Sequence, residues 1–181
     1  MQTWLLFALL TVACWGLYGV FLFLGGEKML TGTTPGDREV ARYKAFLFIG
    51  VAYFITAVLA PLAMLMVRGA SFTFPSAGIT WSLIAGLAGA AGAFGVLLAF
   101  GAGGRPAAVM AIVFGGAPVV NAVVAITAFP PGWGKVEWPF YVGLLLAACG
   151  GLLVTLYRPA AAPPHPTTRP AVTATTPPAQ T

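Results

Sequence analysis

Polar positions are so sparse along this chain that the lengths of its apolar runs, rather than any alternation, define its elements. Five runs reach the roughly 20 residues that an α-helix needs to cross about 30 Å of hydrocarbon at 1.5 Å per residue. They cover residues 3–24, 45–67, 80–101, 106–129 and 138–157, and nothing else is long enough to cross. The pattern predicts an all-α membrane protein, a bundle of five transmembrane helices in one domain over residues 1–158. The longest connection, 25–44, contains "TPGD" at 34–37, with an N-cap threonine, a proline at the first helical position and an acid at the third. The second helix is therefore expected to begin before the membrane does. Beyond Tyr157 the chain turns to Pro, Ala and Thr with almost nothing apolar enough to bury, which predicts a disordered Pro-rich C-terminal tail over 159–181.

Composition agrees with the pattern: 59% of the residues are hydrophobic and 7% are charged, against about 25% charged in an ordinary soluble domain. The formal net charge is +5, but its nine Lys and Arg residues are scattered over loops and tail, which argues against nucleic acid and for membrane orientation. One side of a five-span topology holds Lys28, Arg38, Arg42, Lys44, Arg105, Arg158 and Arg169; the other holds Arg68 and Lys135. By the positive-inside rule the C-terminus is expected in the cytoplasm and the N-terminus outside the inner (plasma) membrane. Trp4, Trp81, Trp133 and Trp138 all mark outer span ends, where indole favours the headgroup region, whereas Trp15 lies near mid-membrane. "TVAC" at 11–14 resembles a lipoprotein cleavage box. No Lys or Arg precedes that apolar stretch, and it continues to Leu24, so a retained first span is expected.

The chemistry available inside the spans is limited. Glu27, Asp37, Glu39 and Glu137 fall in loops or at span ends, leaving no intramembrane acid/base pair and no buried proton-carrying carboxylate. Cys14 and Cys149 lie in apolar runs and His165 in the tail, so neither a metal-ligand set nor a disulfide is indicated. The sequence predicts no enzyme and no cofactor. The spans carry small residues at helical spacing instead. In the third these are Ala85, Gly89 and Ala93 with Gly86, Gly92 and Gly95; in the fifth, Gly143, Ala147 and Gly150 or Gly151. Such faces admit a second helix backbone, either within the chain or at an oligomer interface.

The fourth span contains "FGGAPVVNAVV" at 114–124. Pro118 lacks an amide hydrogen and crowds the carbonyl of Phe114, and Gly115 and Gly116 sit in that weakened turn. Asn121 lies about one turn further on, where an amide must find partners away from lipid. The stretch predicts a kinked helix facing protein or water, with Asn121 either hydrogen-bonded between helices or lining a solute path. Trp15 and Tyr18 in the first span and Tyr53 and Thr56 in the second fall at similar central depth. Together with Gly115, Gly116, Pro118 and Asn121 they form the candidate substrate-binding set.

"CWGLYGVF" at 14–21, "RYK" at 42–44, the Gly-rich third span, "AAVMAIVFGGAPVVNAVVAITAF" and "YVGLLLAACGGLLV" together resemble one repeat of the EamA-like drug/metabolite transporter superfamily, over nearly the whole stretch from Trp4 to Arg158. Members commonly carry two such five-helix repeats in opposite orientations with the solute passing between them. The resemblance thus implies half a transporter, completed as a homo-oligomer or by a second five-helix repeat protein. Family members often have an acid just after the fourth span; here Glu137 is displaced by the insertion-like "FPPGWGK" at 129–135. The expectation is a permease-like protein of the lipid bilayer that moves a small polar or amphipathic solute by alternating access. The alternative is a structural or regulatory membrane subunit that binds another helical protein.

Overall fold

The computed structural model describes residues 2–130 and 132–157, and the tail expected over 159–181 lies outside them. The described chain is all-helical. Its five long helices are α1 (Thr3–Lys28), α2 (Pro35–Val67), α3 (Ser76–Gly101), α4 (Pro106–Ala128) and α5 (Trp138–Leu156), each long and apolar enough to cross a membrane. A short 3-10 turn, Trp133–Lys135, precedes α5.

Local chemistry sets the helix ends. At the start of α2 the Asp37 amide donates to Thr34 Oγ1 at 3.1 Å while Asp37 Oδ2 accepts from the Thr34 amide at 3.0 Å, a reciprocal capping box with Pro35 in the first turn. The Thr34 hydroxyl, donating to Asp37 Oδ2 at 2.7 Å, and the Thr34 amide together hold the Asp37 carboxyl below the usual carboxylate range. The helix begins ahead of the apolar run, where the TPGD stretch predicts. α2 and α3 both stop at a glycine in the left-handed region, Gly69 at φ 59° and Gly103 at φ 92°. In each case the following amide reaches back to close a Schellman pair: Ala70 N–H to Leu65 O at 3.0 Å, and Gly104 N–H to Ala99 O at 2.9 Å.

The hydrogen-bond ladder of α2 widens into a π turn over Ile55–Leu59, where the Ala60 amide bonds back to the Ile55 carbonyl. Pro61 stands just beyond, with no amide to offer the turn before it, and the wider turn re-partners part of the freed backbone. α4, by contrast, runs through Pro118 from Pro106 to Ala128 without an interruption of its helical assignment.

Packing is concentrated at one end. The finishing turns of α1 and α3 meet the starting turns of α2 and α4, and Arg38, Arg42 and Arg105 gather there, so we call it the basic end. Leu22, Val96, Leu97, Phe100, Val109 and Met110 form the buried core at this end. Phe23 meets Phe100 edge-on at 5.7 Å, and Phe94 lies against both Tyr43 and Phe46. Small residues allow the approach. A Cβ on Gly25 would sit 3.4 Å from that of Ala45, and one on Gly26 would sit 3.2 Å from Arg42 Cγ. At the opposite end, marked by Trp4, Trp81, Trp133 and Trp138, residues 3–17 of α1, 51–64 of α2 and 76–92 of α3 are all exposed. A helix packed on a neighbour buries at least one stripe. These halves bury none, so they stand apart.

α4 and α5 follow a different rule and zip together backbone to backbone. A Cβ on Gly115 would fall 3.0 Å from Gly151 Cα, and one on Gly151 would fall 2.8 Å from the Ala111 carbonyl oxygen. At the tryptophan end the pair is clasped by Trp133, whose indole N–H donates to Thr127 Oγ1 at 3.1 Å. Its carbonyl accepts from the Tyr141 hydroxyl at 2.9 Å, and its ring stacks on that of Tyr141 at 6.1 Å.

Candidate functional site

The half of the bundle at the tryptophan end, where α1, α2 and α3 are exposed, is the candidate crevice, and it carries several of the polar groups singled out from the sequence. Its floor begins where α1 last touches α4: Met110 fills the space that a Cβ on Gly19 would need, its Cγ lying 2.5 Å from that position. One turn of α1 further toward the tryptophan end, Trp15 and Tyr18 pack ring to ring at 5.6 Å and a 43° tilt. The Tyr18 hydroxyl is buried without a hydrogen bond of ordinary geometry, and the phenol of Tyr53 on α2 is its polar neighbour. Trp15 and Tyr53 remain open, 38% and 41% exposed, which leaves ring faces available at the floor. The two tyrosines and the indole thus form a cluster of amphipathic rings where packed core gives way to open crevice.

Asn121 stands on the facing wall. At 100° per residue it lies about 20° around α4 from Met110, three turns nearer the tryptophan end and on the face that meets α1 at the floor. At its height α1 is exposed on every side, and Asn121 is itself exposed. An ideal helical register thus puts Asn121 on the side of α4 that meets α1 at Met110. The helix register that buries Met110 against Gly19 delivers it there.

The other sequence candidates divide. Gly115 is buried in the α4–α5 crossing and has no face left for a solute. Gly116 and Pro118 are exposed, and a Cβ on Gly116 would meet nothing within 4 Å. Thr56 is exposed inside the π turn, its hydroxyl donating back to the Ala52 carbonyl at 2.9 Å. Of the candidate packing glycines, Gly151 makes the closest helix approach, whereas Gly86, Gly89, Gly92, Gly95, Gly143 and Gly150 have nothing within 4 Å of a built Cβ. The π turn is a feature the sequence reading did not single out; Pro61 inside an apolar run was its available signal.

Chemically, Trp15, Tyr18, Tyr53 and Asn121 offer aromatic faces, phenolic hydroxyls and one carboxamide. Among the described residues no group of three or more His, Cys, Asp or Glu side chains could hold a metal ion. A second concavity of about 570 Å³ lies at the basic end, on the far side of the core from the crevice floor. No family model, curated protein or solved structure matches the chain, so its functional reading rests on this geometry.

Proposed function

We propose that the chain is a permease-like transporter unit of the inner membrane that moves a small polar or amphipathic solute by alternating access. The observation that carries the reading is the asymmetry of the bundle. Trp15, Tyr18 and Tyr53 cluster beside the core around Leu97 and Phe100, where α1, α2 and α3 pass from that packed core to the half in which they are exposed, and Asn121 lies on the exposed half of α4. One closed and one parted end is the shape of a carrier caught facing one side. By the positive-inside rule the basic end is cytoplasmic, so the crevice faces outward, with the N-terminus outside and the C-terminus inside. The resemblance to one repeat of the EamA-like drug/metabolite transporters is consistent with this reading and implies that the working unit is an oligomer of five-helix repeats. With no carboxylate among the residues proposed to line the crevice, uniport or exchange is the proposed transport mode.

Reconstitution tests the proposal. Proteoliposomes carrying the chain should accumulate at least one radiolabelled solute from a panel of amino acids, polyamines and quaternary amines faster than empty liposomes do. Asn121→Leu, folded and inserted, should abolish that difference. Leak equal to that of empty liposomes across the panel would sink the carrier reading.

A second reading, a structural or regulatory subunit, is favoured by the uncovered glycines of α3, which leave room for a helix of another protein. Stoichiometric co-purification with another membrane protein, without any solute response, is its signature.

A further inference from the structure

The concavity at the basic end has a composition that membrane orientation alone does not require. Its wall brings together Arg38 and Arg42 from α2 and Arg105 from the α3–α4 link, opposed by the single carboxylate of Glu27. Three arginines from two separate parts of the chain line one cleft. We infer that this cleft is a binding site for the phosphate group of an anionic ligand.

The guanidinium is planar, permanently charged and forked, which matches two oxygens of a phosphate, and it is less strongly hydrated than an ammonium. Arg42 is held in place by packing: its Cγ lies 3.2 Å from the Cβ position of Gly26, and its guanidinium 3.4 Å from that of Gly101. Two glycines thus seat the stem against α1 and the charged head against α3. Arg105 is the N-cap of α4 and supplies no side-chain cap to that helix, so the positive end of the α4 dipole adds to the same field. Leu22, Phe23, Leu97 and Phe100 give the cleft an apolar back wall. A volume of about 570 Å³ is ample for a phosphodiester and its glycerol. The cleft also lies where the helices leave hydrocarbon, the depth of lipid headgroups, where basic pockets between helices capture anionic lipids. The same chemistry would accept a soluble phosphate. This site stands independently of whether the crevice carries a solute.

Thermal unfolding of the purified full chain in a neutral detergent decides between these sources. Phosphatidylglycerol in mixed micelles should raise Tm by at least about 4 °C, while phosphatidylcholine should leave it unchanged. The double variant R38Q/R105Q should lose the rise, and K135Q, at the opposite end, should keep it. If inorganic phosphate alone reproduces the rise and R38Q/R105Q removes it, the site stands and its source is soluble. No rise with either probe, or an equal rise in R38Q/R105Q, overturns the inference. Should the double variant not fold, R38Q and R105Q made singly must each reduce the rise, and an undiminished rise in both overturns it equally. Arg42 is left intact because its side chain also packs α1 against α3.

Discussion

Two glycine-bearing faces of this molecule look alike in sequence and behave oppositely in space. On α4 and α5, Ala111, Gly115, Ala147 and Gly151 bring two backbones to van der Waals distance, close enough that any Cβ at Gly115 or Gly151 collides with main chain. On α3, Gly86, Gly89, Gly92 and Gly95 meet nothing at all. Both helices carry small residues at three- or four-residue steps, which permits close approach without compelling it. What separates them is the covering partner. The Trp133 clasp holds α5 on α4, whereas among the described residues no side-chain hydrogen bond ties the first turns of α3 to α1 or α2.

The contrast breaks first at Gly151. Gly151→Leu must drive a side chain into the Ala111 carbonyl, and we expect a loss of about 3 kcal/mol or more in detergent unfolding, with separation of α4 from α5. A stable Gly151→Leu protein would mean the crossing is not the close one described. Asn121→Leu should show the next largest effect, on flux: at least about a tenfold fall, or roughly 1.4 kcal/mol in the barrier, with thermal stability held within about 0.5 kcal/mol. Gly19→Ala sharpens the comparison differently, because its new methyl meets the flexible end of Met110 instead of backbone. About 1 kcal/mol of destabilisation is expected, and Met110→Ala in the same chain should recover part of it.

Gly89→Leu, on the open face, should change the unfolding free energy of the isolated chain by no more than about 0.5 kcal/mol. A substantially larger loss, accompanied by dissociation of an oligomer in light scattering, would mean that a second protein covers this face. The smallest effect concerns acid. The Asp37 carboxyl is depressed by its hydrogen bonds with Thr34, so its contribution is complete above the ordinary carboxylate pKa and is lost as pH falls through the lower folded value. Circular dichroism of the wild type should show fraying of the first α2 turn at that low pH, and Thr34→Val should remove the step.

Much of the fold was legible in the sequence, for reasons that are local. Apolar run length foretells five long helices, and the capping box at Thr34 and Asp37 announces where α2 starts. The depth shared by Trp15, Tyr18 and Tyr53 follows from counting residues, and the structure places Tyr18 against both of the others. What could not be read was which small-residue face finds a partner, because that depends on contacts outside the face itself, such as the Trp133 clasp. Gly115 shows the limit most clearly: it belongs to the same odd stretch as Asn121, yet its helix phase turns it onto α5 while Asn121 turns toward α1. The arginine cleft was hidden for a similar reason. Arg38 and Arg42 are separated from Arg105 by nearly two complete spans, and only the folded bundle brings them to one wall.

The π turn of α2 changes how that helix has to be read. An extra residue in one turn resets the angular phase of everything after it by about 100°. The side of α2 that carries Ala41 and Ala45 toward α1 is therefore not the side that the same spacing would assign beyond Leu59. The helix is two rods joined out of phase, and a ligand wedged between α1 and α2 would meet a different set of side chains above the joint than a single helical wheel foretells.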